Sequence, residues 1–282
     1  EYRYLVFKKL SSFVVTLVLA FTLRSYWALV IGILSGQVFG VALSYAMHKY
    51  RPRFSLAAVR ELWSFSQWML ITALGDYAAD KTDEFIVGGL GSAKNLGIYS
   101  IAYEISNLTT SEMVQPISRA LFPGYAKLAN EPQRLTEAYL NVFGTVALLA
   151  CASGIGISLV AEDLTALMLG AKWEAAVPII ELLALFGVIR TTYSPAHQVL
   201  LALGRLRLLA VLPWIEVAVL IPLALVGAHY AGLVGVAMAK IGVALVSGVL
   251  LMVALTRVSP VRWGQIASRL WRPIAAGVLM SL

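Results

Sequence analysis

Apolar residues in this chain come in long, nearly uninterrupted blocks separated by short polar connections. They do not show the alternation of half-buried strands or the single apolar stripe of a water-facing helix. A helix crosses the hydrocarbon core of a bilayer with about 20 predominantly apolar residues. Blocks of that kind fall at 4–23, 26–47, 62–82, 96–121, 138–160, 175–203, 206–228 and 233–256, and a ninth begins near 268. The first carries Lys8 and Lys9, so that only Leu10 to Leu23 are free of charge; tilting or lysine snorkelling accommodates such a span. The connections are too short for a water-soluble domain. The pattern predicts an all-α, polytopic transmembrane helix bundle of about nine spans.

Composition agrees. Of the 282 residues, 60% are hydrophobic and 13% charged, whereas a soluble domain has about 25% charged residues. An ordinary soluble enzyme, a disordered chain and a nucleic-acid-binding module are excluded on that ground. The net charge of +7 then reads as topology. With the N-terminus cytoplasmic, sixteen Lys and Arg fall on the cytoplasmic side, including Lys49, Arg51, Arg53, Arg60, Arg119, Lys127, Arg134, Arg205 and Arg207. Four, Arg24, Lys81, Lys94 and Lys172, fall outside, and Arg190 and Lys240 lie within spans. That split is the positive-inside asymmetry. The sequence opens on Glu1 and closes inside an apolar run, the expected mark of a piece of a longer protein.

Ionisable groups at membrane depth are costly and face a bundle interior or a wet cavity. The third block carries Asp76, Asp80 and Asp83 at offsets of four and three, which share one helical face. Two readings stay open for Asp80 and Asp83: a hydrated vestibule or coupling-ion site, and interfacial loop residues beside Lys81. Asp76 is deeper and points to function. The fourth block places Tyr99, Tyr103, Ser106 and Thr110 on one stripe and Glu104, Ser111 and Gln115 on another. Tyrosine faces stack on apolar sugar faces while hydroxyls bond sugar oxygens; interhelical hydrogen bonding is the alternative. The sixth block contains Arg190-Thr-Thr-Tyr-Ser194-Pro195-Ala-His197-Gln198, and Pro195 is expected to kink or open that helix. Opened helices line cavities near the midplane of transporters. Glu216 and Lys240 lie at similar depth in consecutive antiparallel blocks, where an ion pair or a proton-coupling role is expected. Gly32, Gly36 and Gly40 predict close helix packing.

Enzyme signatures are missing: there is no phosphate-cradling loop, no His-rich metal set, and no nucleophile beside a base. One cysteine, Cys151, excludes a disulfide framework and a Cys-based metal site. No cofactor is implied.

The ordered motifs resemble those of polysaccharide flippases in the multidrug/oligosaccharidyl-lipid/polysaccharide exporter superfamily. Those carrying the resemblance are Arg51-Pro-Arg-Phe-Ser-Leu56, Asp83 with Ile86-Val-Gly88, Gly97-Ile-Tyr99 and Ala102, Gln115-Pro-Ile-Ser-Arg-Ala-Leu-Phe-Pro123, Tyr125-Ala-Lys-Leu128, Leu169-Gly-Ala-Lys-Trp173 and Leu203-Gly-Arg205. The resemblance implies two six-helix lobes around a central cavity. Residues 1–50 would be the last two helices of the N-lobe, 55–256 the six-helix C-lobe, and 257–282 the start of an additional helix. It further implies alternating-access flipping of a polyprenyl-diphosphate-linked oligosaccharide, or a related cell-surface glycan, across the bacterial cytoplasmic membrane, with proton or sodium coupling. On that basis Arg190, Ser194, Tyr99, Tyr103, Glu104 and Arg119 are expected to contact substrate. Asp76, Asp80, Asp83, Glu216 and Lys240 are expected to couple the ion. A cation-coupled drug antiporter of the same fold remains open; a membrane glycan polymerase or ligase is disfavoured by the modest outer loop around Glu162, Asp163 and Glu174.

Overall fold

A computed structural model describes residues 2–47 and 59–280. Among the described residues the chain forms nine α-helices and no strand. They are α1 (Tyr2–Leu23), α2 (Trp27–Met47), α3 (Val59–Leu90), α4 (Ala93–Leu128), α5 (Pro132–Leu159), the short α6 (Ala161–Met168), α7 (Val177–Ala202), α8 (Leu206–Val258) and α9 (Trp263–Met280). Every complete apolar block of the sequence lies within a helix to within two residues at its ends. Five stretches among the described residues are long and apolar enough to cross a membrane: Tyr4–Leu23, Trp27–Met47, Pro132–Leu159, Ala171–Ala202 and Leu206–Val258. Helices α3 and α4 are longer than their blocks, and they carry the polar stripes. Large side chains such as Phe13, Phe21, Val38, Tyr77 and Leu245 stay exposed, as outward faces do when hydrocarbon, not water, surrounds them.

The chain separates into two compact units, Glu1–Arg60 and Glu61–Leu282. In the first, α1 packs on the glycine face of α2. A Cβ at Gly32 would lie 1.8 Å from Thr16 Oγ1, and one at Gly36 would lie 2.7 Å from the Ser12 Cβ. Ser12 also donates to the Gly32 carbonyl at 2.8 Å. The spaced glycines thus let two backbones approach closely.

In the second unit α7 is central: α4, α5 and α8 pack on it, and α9 packs on α5. Helix α8 is two arms. Its backbone leaves helical angles at Ala231 and at Gly232, where φ is +57°, a value that favours glycine. The arms fold back on each other so closely that a Cβ at Gly235 would lie 1.9 Å from the Gly227 carbonyl oxygen. That hairpin is the short link expected between the blocks at 206–228 and 233–256.

The opening expected at Pro195 does not occur. Helix α7 runs through it continuously. An interior proline costs about 3 kcal/mol, but Ala196, Val199 and Leu200 just beyond it are fully buried, and their packing holds the turn. Two apolar clusters flank this stretch. One gathers Tyr99, Ile179, Ile180, Leu183, Leu220, Val236 and Val243. The other gathers Tyr139, Phe143, Val199, Leu200, Leu209, Met252 and Leu255. Between them the middle of α7, Phe186 to Gln198, faces a polar space.

Candidate functional site

That space is a cavity of about 450 Å³ whose lining comes from α3, α7 and both arms of α8. Asp76 and Asp80 enter it from α3, Arg190, Ser194, His197 and Gln198 from α7, Glu216 from the first arm of α8, and Lys240 and Ser247 from the second. Helical spacing explains the arrangement. Asp76 and Asp80 are one turn apart, as are Arg190, Ser194 and Gln198, so each helix presents a polar ladder to a common interior.

Two ion pairs join these helices. Arg190 donates through Nη1 to Asp80 Oδ1, and the two side chains are 47% and 37% exposed. Lys240 donates to Asp83 Oδ2 at 2.5 Å, and here the side chains are 4% and 0% exposed. The sealed pair has company. Tyr99 donates its hydroxyl to the same Asp83 oxygen at 2.7 Å. Lys240 Nζ lies 3.3 Å from the Asp80 carbonyl oxygen, 4.5 Å from the centre of the Tyr103 ring and 5.2 Å from that of Phe186. A carboxylate, a carbonyl and two ring faces form the cage that an ammonium prefers when it is taken out of water.

The structure redistributes the residues expected from sequence. Asp76, Asp80, Arg190, Ser194, Glu216 and Lys240 converge on the cavity. Asp80 and Asp83 are not loop residues, because α3 continues as helix to Leu90. Asp83 lies behind the cavity wall rather than on it. Tyr99 is fully buried, and its hydroxyl is engaged by Asp83. Tyr103 is half-buried and serves as one wall of the lysine cage. Glu104 is exposed on α4, outside the cavity lining. The side chains of Arg119, Thr110, Ser111 and Gln115 lie outside the described residues. The expected Glu216–Lys240 pair does not form: the rotation of the second arm of α8 aims Lys240 at α3, where Asp83 receives it.

Residues that the sequence did not single out complete the lining, among them Phe186, Tyr193 and Ser247. One signal was present. Gly248 stands next to Ser247 in a largely apolar stretch of α8, and a Cβ there would lie 2.1 Å from the Tyr193 ring. The glycine makes room for the aromatic wall.

Chemically, the cavity combines a guanidinium able to bond an anion's oxygens with two further carboxylates, Asp76 and Glu216. Uncharged hydrogen-bonding groups on Ser194, Gln198 and Ser247 and the rings of Phe186 and Tyr193 complete it.

Residues 2–178 match the model of a family described as polysaccharide biosynthesis protein. The teichuronic acid biosynthesis protein TuaB of Bacillus subtilis is 32% identical over 56% of this chain and 33% of its own length. The lipopolysaccharide biosynthesis protein WzxC of Escherichia coli is 24% identical over 71% of this chain and 41% of its own length. The chain therefore spans less than half the length of these relatives. Among solved structures, the lipid II flippase MurJ in an inward closed conformation superposes with a TM-score of 0.72 at 12% identity. The match covers 96% of this chain and 59% of that one. At that identity the likeness establishes the fold, that of a multi-pass helical membrane protein.

Proposed function

The chain belongs to the polysaccharide biosynthesis protein family, and from that premise we propose that it is part of a flippase for a polyprenyl-diphosphate-linked oligosaccharide. The lipid-linked glycan passes from the inner to the outer leaflet of the bacterial cytoplasmic membrane by alternating access. Residues 1–50 supply two helices of one lobe, 55–256 the six-helix second lobe, and 257–282 the start of an additional helix. The N-terminus of this stretch is cytoplasmic, which places the Arg53, Arg134 and Arg207 regions inside.

One observation carries the reading: Arg190 presents a half-exposed guanidinium to a cavity, on the polar ladder it forms with Ser194 and Gln198. A large amphiphile needs a cation for its diphosphate, hydrogen-bonding groups for its sugars and an apolar route for its tail. Arginine suits the first because its planar fork bonds two oxygens and keeps its charge. Ser194, Gln198 and Ser247 suit the second, with the Tyr193 face for stacking. The exposed apolar flanks of the helices suit the third. Asp76 and Glu216, on the same lining, are the groups placed to carry a coupling proton or sodium ion.

A cation-coupled antiporter for small molecules is the second reading. It is favoured by the excess of lining carboxylates, Asp76, Asp80 and Glu216, over the two cations Arg190 and Lys240. Reconstitution of the full-length parent with fluorescent lipid-linked oligosaccharide separates the two. The flippase reading predicts translocation that Arg190→Gln abolishes at undiminished folded yield. Full translocation by Arg190→Gln contradicts it, and cation-driven efflux of a cationic dye without lipid transport would establish the antiporter.

A further inference from the structure

The contact between Arg190 and Asp80 needs an explanation that stability does not provide. Both side chains face the cavity and are 47% and 37% exposed. Pairs whose side chains are not enclosed contribute less to folding than enclosed ones. A pair made to fasten helices would resemble Asp83–Lys240, three residues along the same helix and sealed. The contact also runs from a single guanidinium nitrogen to a single carboxylate oxygen, not through the two-point fork that makes arginine–oxyanion pairs strong.

We propose that Asp80 is a stand-in anion: its carboxylate holds the position on Arg190 that substrate diphosphate takes, and substrate binds by displacing it toward Lys240. The inference rests on the reading of Arg190 as the diphosphate contact. The landing site is already built. Lys240 Nζ lies 3.3 Å from the backbone carbonyl oxygen of Asp80 itself, so the ammonium sits at the root of the side chain that must move. An ammonium carries three N–H donors; one is engaged by Asp83 Oδ2 and another is directed at that carbonyl. In the proposed exchange the Asp80 carboxylate rotates about its own side-chain bonds, away from Arg190 and toward Lys240.

Two consequences follow. Binding a multiply charged anion leaves the displaced Asp80 beside Lys240, a cation that it then shares with Asp83. The resident carboxylate also competes with substrate, so affinity is held down and the diphosphate is released when Asp80 returns. A transporter gains from that competition: a guanidinium with no internal partner would hold a diphosphate too tightly to let it go on the other side.

The test uses the full-length parent in nanodiscs, with inorganic pyrophosphate and farnesyl diphosphate as probes and direct binding as the readout. Removing the competitor with Asp80→Asn is expected to tighten binding of both probes roughly tenfold, the scale of one charged hydrogen bond. The double variant Asp80→Asn/Arg190→Gln is expected to lose that gain. A folded Asp80→Asn that binds no more tightly than wild type, while Arg190→Gln weakens binding, overturns the stand-in role and leaves the diphosphate contact intact. Unweakened binding by Arg190→Gln overturns the underlying reading instead. A measurement on the unmutated protein makes the result independent of the variant's folding. Pyrophosphate is expected to raise the yield of a carbodiimide-formed amide between Asp80 and Lys240, mapped by mass spectrometry; an unchanged yield contradicts displacement.

Discussion

Two ion pairs anchored on α3, less than one helical turn apart, have been given opposite surroundings. Asp83–Lys240 is enclosed by Tyr99, Tyr103 and Phe186, while Asp80–Arg190 opens into the cavity. The chemistry is the same, a carboxylate with a cation, but the environment changes what the pair can do. An enclosed pair cannot exchange partners, since either ion alone would be stranded in a low-dielectric interior. An open pair can, because solvent or a ligand replaces what is lost. The first fixes the position of α3 against α8; the second leaves a reactive contact at the wall of the cavity.

The largest test of that contrast is on the enclosed pair. Lys240→Met in the full-length parent should lower stability by about 3–5 kcal/mol, because it leaves Asp83 buried without its cation. Thermal unfolding in detergent reads this, and adding Asp83→Leu to the same chain should restore most of the loss. A cost for Lys240→Met no larger than that of a surface substitution would show that the pair is not enclosed in the whole protein.

A smaller effect sharpens the same point. Tyr99→Phe removes one donor from a carboxylate whose other oxygen, Oδ1, has no hydrogen-bond partner among the described atoms. Leaving a buried acceptor short of a donor costs about 1–3 kcal/mol, so unfolding should shift by that amount while diphosphate binding by the folded fraction stays unchanged. Loss of binding in a fully folded Tyr99→Phe would place the tyrosine on the substrate path.

Smallest of all, Asp80→Asn should change stability by no more than about 1 kcal/mol, the range of exposed pairs. Measured beside Lys240→Met under identical conditions, it gives the ratio on which the contrast depends. Comparable losses from the two substitutions would erase the distinction.

The helices were readable in the sequence because a bilayer enforces long apolar blocks whatever the tertiary packing. The close approach of α1 and α2 was readable for a similar reason: Gly32, Gly36 and Gly40 repeat at a spacing that has one local meaning. Sequence also marked Asp76, Asp80, Arg190, Glu216 and Lys240, which converge on the cavity, because each is costly at membrane depth. It did not reveal their partners. Arg190 lies 110 residues from Asp80, and Lys240 lies 157 from Asp83, so the pairings depend on how α3, α7 and α8 are rotated about their axes. Depth alone matched Lys240 with Glu216, since rise per residue fixes height but not direction. The opening assigned to Pro195 failed for a related reason. Local backbone chemistry argued for it, and the packing of Val199 and Leu200, set by other helices, prevailed. Even the Asp76, Asp80 and Asp83 stripe, correct in register, divides into cavity and interior only once α8 is in place.

The most direct test of the central claim, that Arg190 grips a diphosphate, is the affinity of the full-length parent for farnesyl diphosphate before and after Arg190→Lys. Lysine keeps the charge and loses the two-point fork. The account predicts unchanged folded yield and binding weaker by about 1.5–3 kcal/mol, the worth of a charged hydrogen bond. Unchanged binding by a destabilised Arg190→Lys would contradict it and leave Arg190 as a structural partner of α3.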